Sequence, residues 1–80
     1  MTYVYLIESV NTPTKRYIGK SNNLKIRLAD HNAGRSVFTS VARPWRLVAY
    51  HAFSDQHKAT AFEHYLKSGS GRAFARRRLW

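Results

Sequence analysis

The chain has no cysteine, so neither a disulfide framework nor a thiolate zinc site is open to it. Acids are nearly as scarce: four Asp and Glu stand against fourteen Lys and Arg, for a formal net charge of +10 in 80 residues. No apolar run approaches the ~20 residues that span a bilayer. The N-terminus lacks the charged start and long apolar stretch of a secretion signal, so a cytoplasmic location is the expectation. No internal repeat or low-complexity linker breaks the sequence.

What is present fits one domain over residues 1–80. A chain this short buries only roughly 60% of the surface its unfolded form exposes. Hydrophobic residues at 44%, with 14% aromatic, still suffice for a globular fold that must rely on aromatic packing. The charge excess speaks to partners and not to fold, and phosphate backbones are the commonest polyanion such a domain meets. The plain alternative is a basic, solvated surface. Anionic membrane fits less well, because no segment combines a basic face with a broad apolar one.

Residues 3–9, YVYLIES, are rich in strand formers, with Tyr3, Tyr5 and Ile7 facing one way and Val4 and Leu6 the other. Apolar side chains on both faces predict a central strand. Asn11 to Thr14 is turn chemistry around Pro13, and residues 15–19 return as the second strand of a hairpin. Gly19 ends that strand. Ser21, Asn22 and Asn23 all suit a helix N-cap, Leu24 and Leu28 mark a buried stripe, and Gly34 is a natural stop. Residues 35–44 show no clear period and read as a connector, with a short helical turn around Val37–Val41. Pro44 closes it and biases Arg43 toward an extended backbone.

Trp45 to Phe53 is the third strand, with Leu47, Ala49 and His51 alternating against Val48, Tyr50 and Ala52. Ser54 is the expected cap of the next helix, with Asp55 in its first turn. Ala59, Phe62 and Leu66 form that helix's apolar stripe, and Ser68 to Gly71 ends it. The tail, RAFARRRLW, reads as a last short helix or a partly ordered end, anchored by Phe74. The sum is an α+β fold, β-β-α-β-α plus a short C-terminal helix or tail, built on a small three-stranded antiparallel sheet flanked by helices.

Several residues could carry chemistry on phosphate. Arg27 and His31 lie one helical turn apart, just after Gly19; Arg forks onto phosphate and steadies developing charge. Hairpin pairing brings Tyr5 and Tyr17 near each other. Each has an ordinary alternative: a surface Arg, a helix-end His and strand tyrosines that merely pack. Glu63, beside Phe62 at the edge of an apolar stripe, could ligate a hard divalent cation or simply pair with Lys67 four residues on. Lys20 fits a phosphate contact or a plain surface lysine. His51, His57 and His64 show no zinc spacing and are expected to pack or face solvent.

Assembled, these residues resemble the GIY-YIG nuclease family, in particular its small standalone single-domain members. The first motif corresponds to Tyr3-Val4-Tyr5, with Tyr3 in place of glycine, and the second is literal, Tyr17-Ile18-Gly19. The spacing to Arg27, the L-x-x-R-L-x-x-H pattern from Leu24 to His31, and Glu63 in the later helix fit, as do Thr39, Pro44-Trp45, Leu47-Val48 and Tyr50. The family's late polar residue, often Asn, has no counterpart here; Gly69, Gly71 and Arg72 occupy that stretch.

The resemblance implies a metal-dependent phosphodiesterase acting on nucleic acid, DNA ahead of RNA, with one Mg²⁺ or Mn²⁺ on Glu63. Tyr17, with Tyr5 alongside, would activate or position water, Arg27 would stabilise the transition state, and His31 would assist at the rim of the site. Lys20, Lys67, Arg72, Arg76, Arg77 and Arg78 are the expected nucleic-acid contacts. A binding module without turnover is the runner-up, and a larger repair or recombination complex is a conceivable partner for so small a domain.

The charge makes a direct prediction. Binding to duplex DNA should weaken with salt, each neutralised phosphate adding about −0.9 to the slope of log affinity against log salt. A titration that stays flat from low to physiological salt would contradict it.

Overall fold

Residues Thr2–Ser9 form β1, and their burial on both faces puts that strand at the centre of the sheet. A computed structural model describes all 80 residues. After β1 come β2 (Arg16–Ser21), α1 (Leu24–Asn32), a 3-10 turn (Ser40–Ala42), β3 (Trp45–Phe53), α2 (Gln56–Lys67) and α3 (Gly69–Arg78). The sheet order is β2-β1-β3, antiparallel throughout. The fold is therefore the α+β sandwich expected. No helix is long and apolar enough to cross a membrane.

Alternation along β1 divides the core in two. Val4 and Leu6 pack with Ala59, Leu66 and Ala75 of α2 and α3. Tyr5 and Ile7 pack with Trp45 on the other face, under Leu24 and Leu28 of α1. Each fully buried aliphatic side chain stabilises the fold by about 1.5–3 kcal/mol relative to exposure. The hairpin register sets Tyr5 opposite Gly19 and Ile7 opposite Tyr17, so both phenols lie on the α1 face; β2 does not end at Gly19 as expected but runs on to Ser21, paired with Tyr3.

The regular alternation expected in β3 does not hold. Leu6 pairs with Ala49 but Ile7 pairs with Leu47, leaving Val48 as a bulge. One extra residue reverses the faces beyond it. Leu47 accordingly packs on the Tyr5 face and Ala49 on the Val4 face.

Caps decide the helix ends. Among the three candidates for α1, Asn23 accepts the Ile26 N–H at 3.1 Å. After α1, Gly34 takes φ +78°, a left-handed value suited to glycine. Asp55, not Ser54, caps α2, its carboxylate accepting the His57 and Lys58 N–H groups. The stretch from Ser68 to Gly71 ends one helix and begins another: Ser68 closes α2, and its hydroxyl accepts the Gly71 N–H to start α3. The tail is thus a true third helix. Ala75 is its buried anchor, while Phe74, expected in that role, is 37% exposed.

Two side-chain links tie α1 and the connector to the sheet. The Asn32 amide accepts the Trp45 N–H through Oδ1 and donates from Nδ2 to the Trp45 carbonyl, acting as a strand neighbour for the start of β3. His31, fully buried, lies between Tyr5 Oη at 2.8 Å and Thr39 Oγ1 at 2.7 Å. The Trp45 indole N–H donates to the Thr39 carbonyl at 2.8 Å and holds the connector down.

Burial, reinforced by the nearby Arg27 charge, lowers the His31 pKa from its usual value. As pH falls through about 6.5, the unfolded chain takes up the proton before the folded one does. Stability is therefore full above about pH 6.5 and declines below it. Urea midpoints measured from pH 8 to pH 5 should fall, and the fall should be shallower in His31→Gln.

Candidate active site

Gly19 is what lets the site form. A methyl group there would collide with the Tyr5 ring and hydroxyl and press on the Tyr17 ring. Without it, the Tyr5 side chain crosses β2 and carries its hydroxyl to the α1 side of the sheet edge. The Tyr5 and Tyr17 ring centroids are 6.3 Å apart, and Tyr17 meets the His31 ring edge-on at 5.1 Å. His31 is thus the floor of the cluster, not its rim.

Arg27, one turn before His31 on α1, donates from Nε to Tyr5 Oη over a long 3.4 Å. Burial pushes the Tyr5 phenol's pKa up. The Arg27 hydrogen bond works against that, and the Tyr17 and Glu63 charges add to it. The bond to Tyr5 in turn raises the Arg27 pKa, with a smaller contribution from Tyr17. Tyr5 and His31 are both neutral near pH 7, so Arg27 is the one formal charge in this network.

That charge has no carboxylate partner. The chain's three ion pairs are Arg35–Asp30, Arg46–Glu8 and Lys67–Glu63, and its fourth acid, Asp55, is a helix cap. A guanidinium held by a phenol and left unpaired is disposed to take an external anion, and phosphate matches its fork geometry.

Glu63 comes from α2, which packs on β1 and β2. Its charge is felt at the Tyr5 phenol, and its side chain is 15% exposed. The pair with Lys67 at 3.1 Å is formed. No three His, Cys, Asp or Glu side chains cluster as a metal cage, so the donor set does not suit structural zinc. A single carboxylate suits Mg²⁺ or Mn²⁺, whose remaining positions go to waters and substrate oxygens.

Beside Tyr17 opens a cleft of about 690 Å³ between β2, the connector and the α2–α3 corner. Lys67, Arg72 and Arg76 line it, together with Arg16, Phe38 and Trp80. The other expected contacts lie elsewhere. Lys20 Nζ donates to Thr60 Oγ1 at 2.7 Å, while Arg77 and Arg78 are exposed on α3 outside the cleft lining. His57 and His64 face solvent, and His51 packs on the Phe62 ring at 4.8 Å.

Two contributions escape a reading of the sequence. Arg16 marks only the start of a strand by sequence, yet the fold sets it over the Trp80 ring, 4.9 Å from its centroid. Thr39 belongs to the resemblance by type, but, eight residues from His31 in an aperiodic connector, its role of holding the imidazole is not visible in the sequence.

Comparison with known proteins identifies the family of the chain. The family model of the GIY-YIG catalytic domain matches residues 1–77. A UPF0213 protein from Pediococcus acidilactici is 40% identical over 57 residues, covering 68% of this chain and 58% of that protein. The structure-specific endonuclease subunit SLX1 of Candida dubliniensis is 34% identical over 71 residues, covering 80% of this chain and 25% of SLX1. The chain therefore spans 58% and 25% of the length of these two relatives. The UPF0213 protein SH2523 of Staphylococcus haemolyticus is nearer in size: 33% identity over 69 residues covers 85% of this chain and 82% of that one. The solution structure of the UPF0213 protein BH0048 from Bacillus halodurans superposes with a TM-score of 0.52 at 28% identity, over 91% of this chain and 80% of that one. A family match along residues 1–77, on a fold shared with a solved relative, fixes membership: the chain belongs to the GIY-YIG family.

Proposed function

We propose that the protein is a metal-dependent endonuclease that hydrolyses phosphodiester bonds in nucleic acid, with DNA as the substrate. The observation that carries the proposal is the Arg27 guanidinium, without a carboxylate partner and hydrogen-bonded to the Tyr5 phenol, whose ring neighbours Tyr17 of the cation-lined cleft. The Candida dubliniensis relative, named as a structure-specific endonuclease subunit, supports it. Being by name one subunit of an assembly, that relative also supports the expectation that so small a domain works beside a partner.

In the proposed reaction a water oxygen attacks phosphorus and the bond to the leaving oxygen breaks; one proton leaves the water and one reaches the leaving oxygen. Tyr17 lines the cleft and is half-buried, so its hydroxyl can meet and orient that water. Arg27 faces the charge gathering on the phosphoryl oxygens, where a fixed cation contributes more to the transition state than to the ground state. Tyr5 and neutral His31 are positioning residues: both are buried, and together they fix the guanidinium. Glu63 would hold Mg²⁺ or Mn²⁺, which when bound supplies a Lewis acid for the phosphoryl oxygens. Lys67 Nζ sits 3.1 Å from the Glu63 carboxylate and would have to share it with the metal.

Glu63→Gln should abolish Mg²⁺- or Mn²⁺-dependent cleavage of a labelled DNA substrate while preserving or strengthening binding, because one of only four negative charges leaves a strongly basic protein. Wild-type cleavage by a folded Glu63→Gln protein would instead support a role as a binding module. Arg27→Ala should lower turnover by about 10²–10³, as loss of a transition-state charge stabiliser does. Single-turnover rates measured at saturating enzyme separate this loss from weakened binding.

A further inference from the structure

Phe38 plays no part in the core. Its side chain is 86% exposed, and Val37 and Val41 beside it are 89% and 83% exposed. Yet Phe38 forms one wall of the cleft that opens next to Tyr17. Trp80 lines the same cleft, held by N–H bonds from Leu79 and Trp80 to the Ala75 carbonyl and covered on one side by the Arg16 guanidinium. Lys67, Arg72 and Arg76 complete the lining, which contains no acid.

A free aromatic face beside a row of cations matches an unpaired nucleic-acid strand. Its bases offer π-faces for stacking, and its phosphates offer charge to the lysine and arginines. A duplex keeps its base faces inside the stack and would engage only the cations. An acidic peptide would satisfy the cations and leave Phe38 in water. Base faces and phosphates, the features this lining meets, are common to DNA and RNA, and the deoxyribose strand is taken from the proposed DNA substrate.

We infer that this cleft binds an unpaired DNA strand, with a base stacked on Phe38 and phosphates on Lys67, Arg72 and Arg76, and that the strand runs on to Tyr17. The inference rests on the proposed nuclease and narrows its substrate to DNA carrying a single-stranded segment next to the cut. Phe38 acts as a binding residue here; it touches the base and not the reacting phosphorus.

The test is binding in EDTA, so that no bond is cut. Fluorescence anisotropy would compare a labelled thymidine oligonucleotide of about 12 nucleotides, long enough to fill such a site, with its duplex and with the matching uridine oligonucleotide. Phe38→Ala removes an exposed side chain, so circular dichroism and the melting temperature should not change. It should weaken single-strand binding by about 5- to 150-fold, the equivalent of losing one base–aromatic stack, and leave duplex binding as it was. Phe38→Trp should restore the single strand. Arg76→Ala should weaken both. Equal losses on strand and duplex, or no loss on the strand, would overturn the proposal; binding of uridine more tightly than thymidine would overturn its assignment to DNA. None of these measurements involves cleavage. A failed Phe38 result therefore leaves the Glu63 test standing, and a failed Glu63 test leaves strand binding standing.

Discussion

The Tyr5 hydroxyl is the point through which most of this small structure is tied. The side chain is 1% exposed, its hydroxyl reaches His31 Nε2, and it accepts from Arg27 Nε. His31 passes the connection to Thr39, whose carbonyl holds Trp45. One phenol thus links the central strand, α1, the connector and the start of β3. In a chain without disulfides, such a link substitutes for a covalent staple. A buried polar chain of this kind stabilises only while each member keeps its partner, since an orphaned group costs its full desolvation. The same constraint explains Gly19: any side chain there displaces the hydroxyl on which the network converges.

Scarcity of acid gives the site its electrostatic character. Three of the four carboxylates are spent on two surface ion pairs and a helix cap, leaving Glu63 as the acid near the phenols. Arg27 remains uncompensated, as do the three arginines of the cleft. Exposed pairs contribute little to stability; their consequence here is the pattern of what they leave free. A field of one sign focused in a concave surface attracts polyanions, and the cleft lining itself holds no carboxylate.

The sheet and the first candidate site residues are legible in the sequence. Two-sided burial of β1 follows from apolar residues at both parities. The literal Tyr17-Ile18-Gly19, followed by Arg27 and His31 at helical spacing, sets those residues on one hairpin and one helix. The misread details share a cause: they depend on a choice between near-equal local options. Ser54 and Asp55 both cap well, and the backbone's path selects Asp55. Ser68 to Gly71 breaks a helix by composition, yet Ser68 can close α2 and open α3 at once. The bulge at Val48 leaves no mark in a run of strand formers, because what it corrects is the pairing with β1.

The sequence by itself determined the charge, the central strand, the family and the identities of Tyr5, Tyr17, Arg27, His31 and Glu63, since each depends on residue type and short-range period. Only the tertiary structure decided which of these touch. It buried His31 under the phenols, left Arg27 without a carboxylate, and brought Arg16, Phe38, Lys67, Arg72, Arg76 and Trp80 around one cleft. Those partners lie up to 64 positions apart in the chain, from Arg16 to Trp80. Their meeting depends on how the helices pack across the sheet, and no local pattern records that.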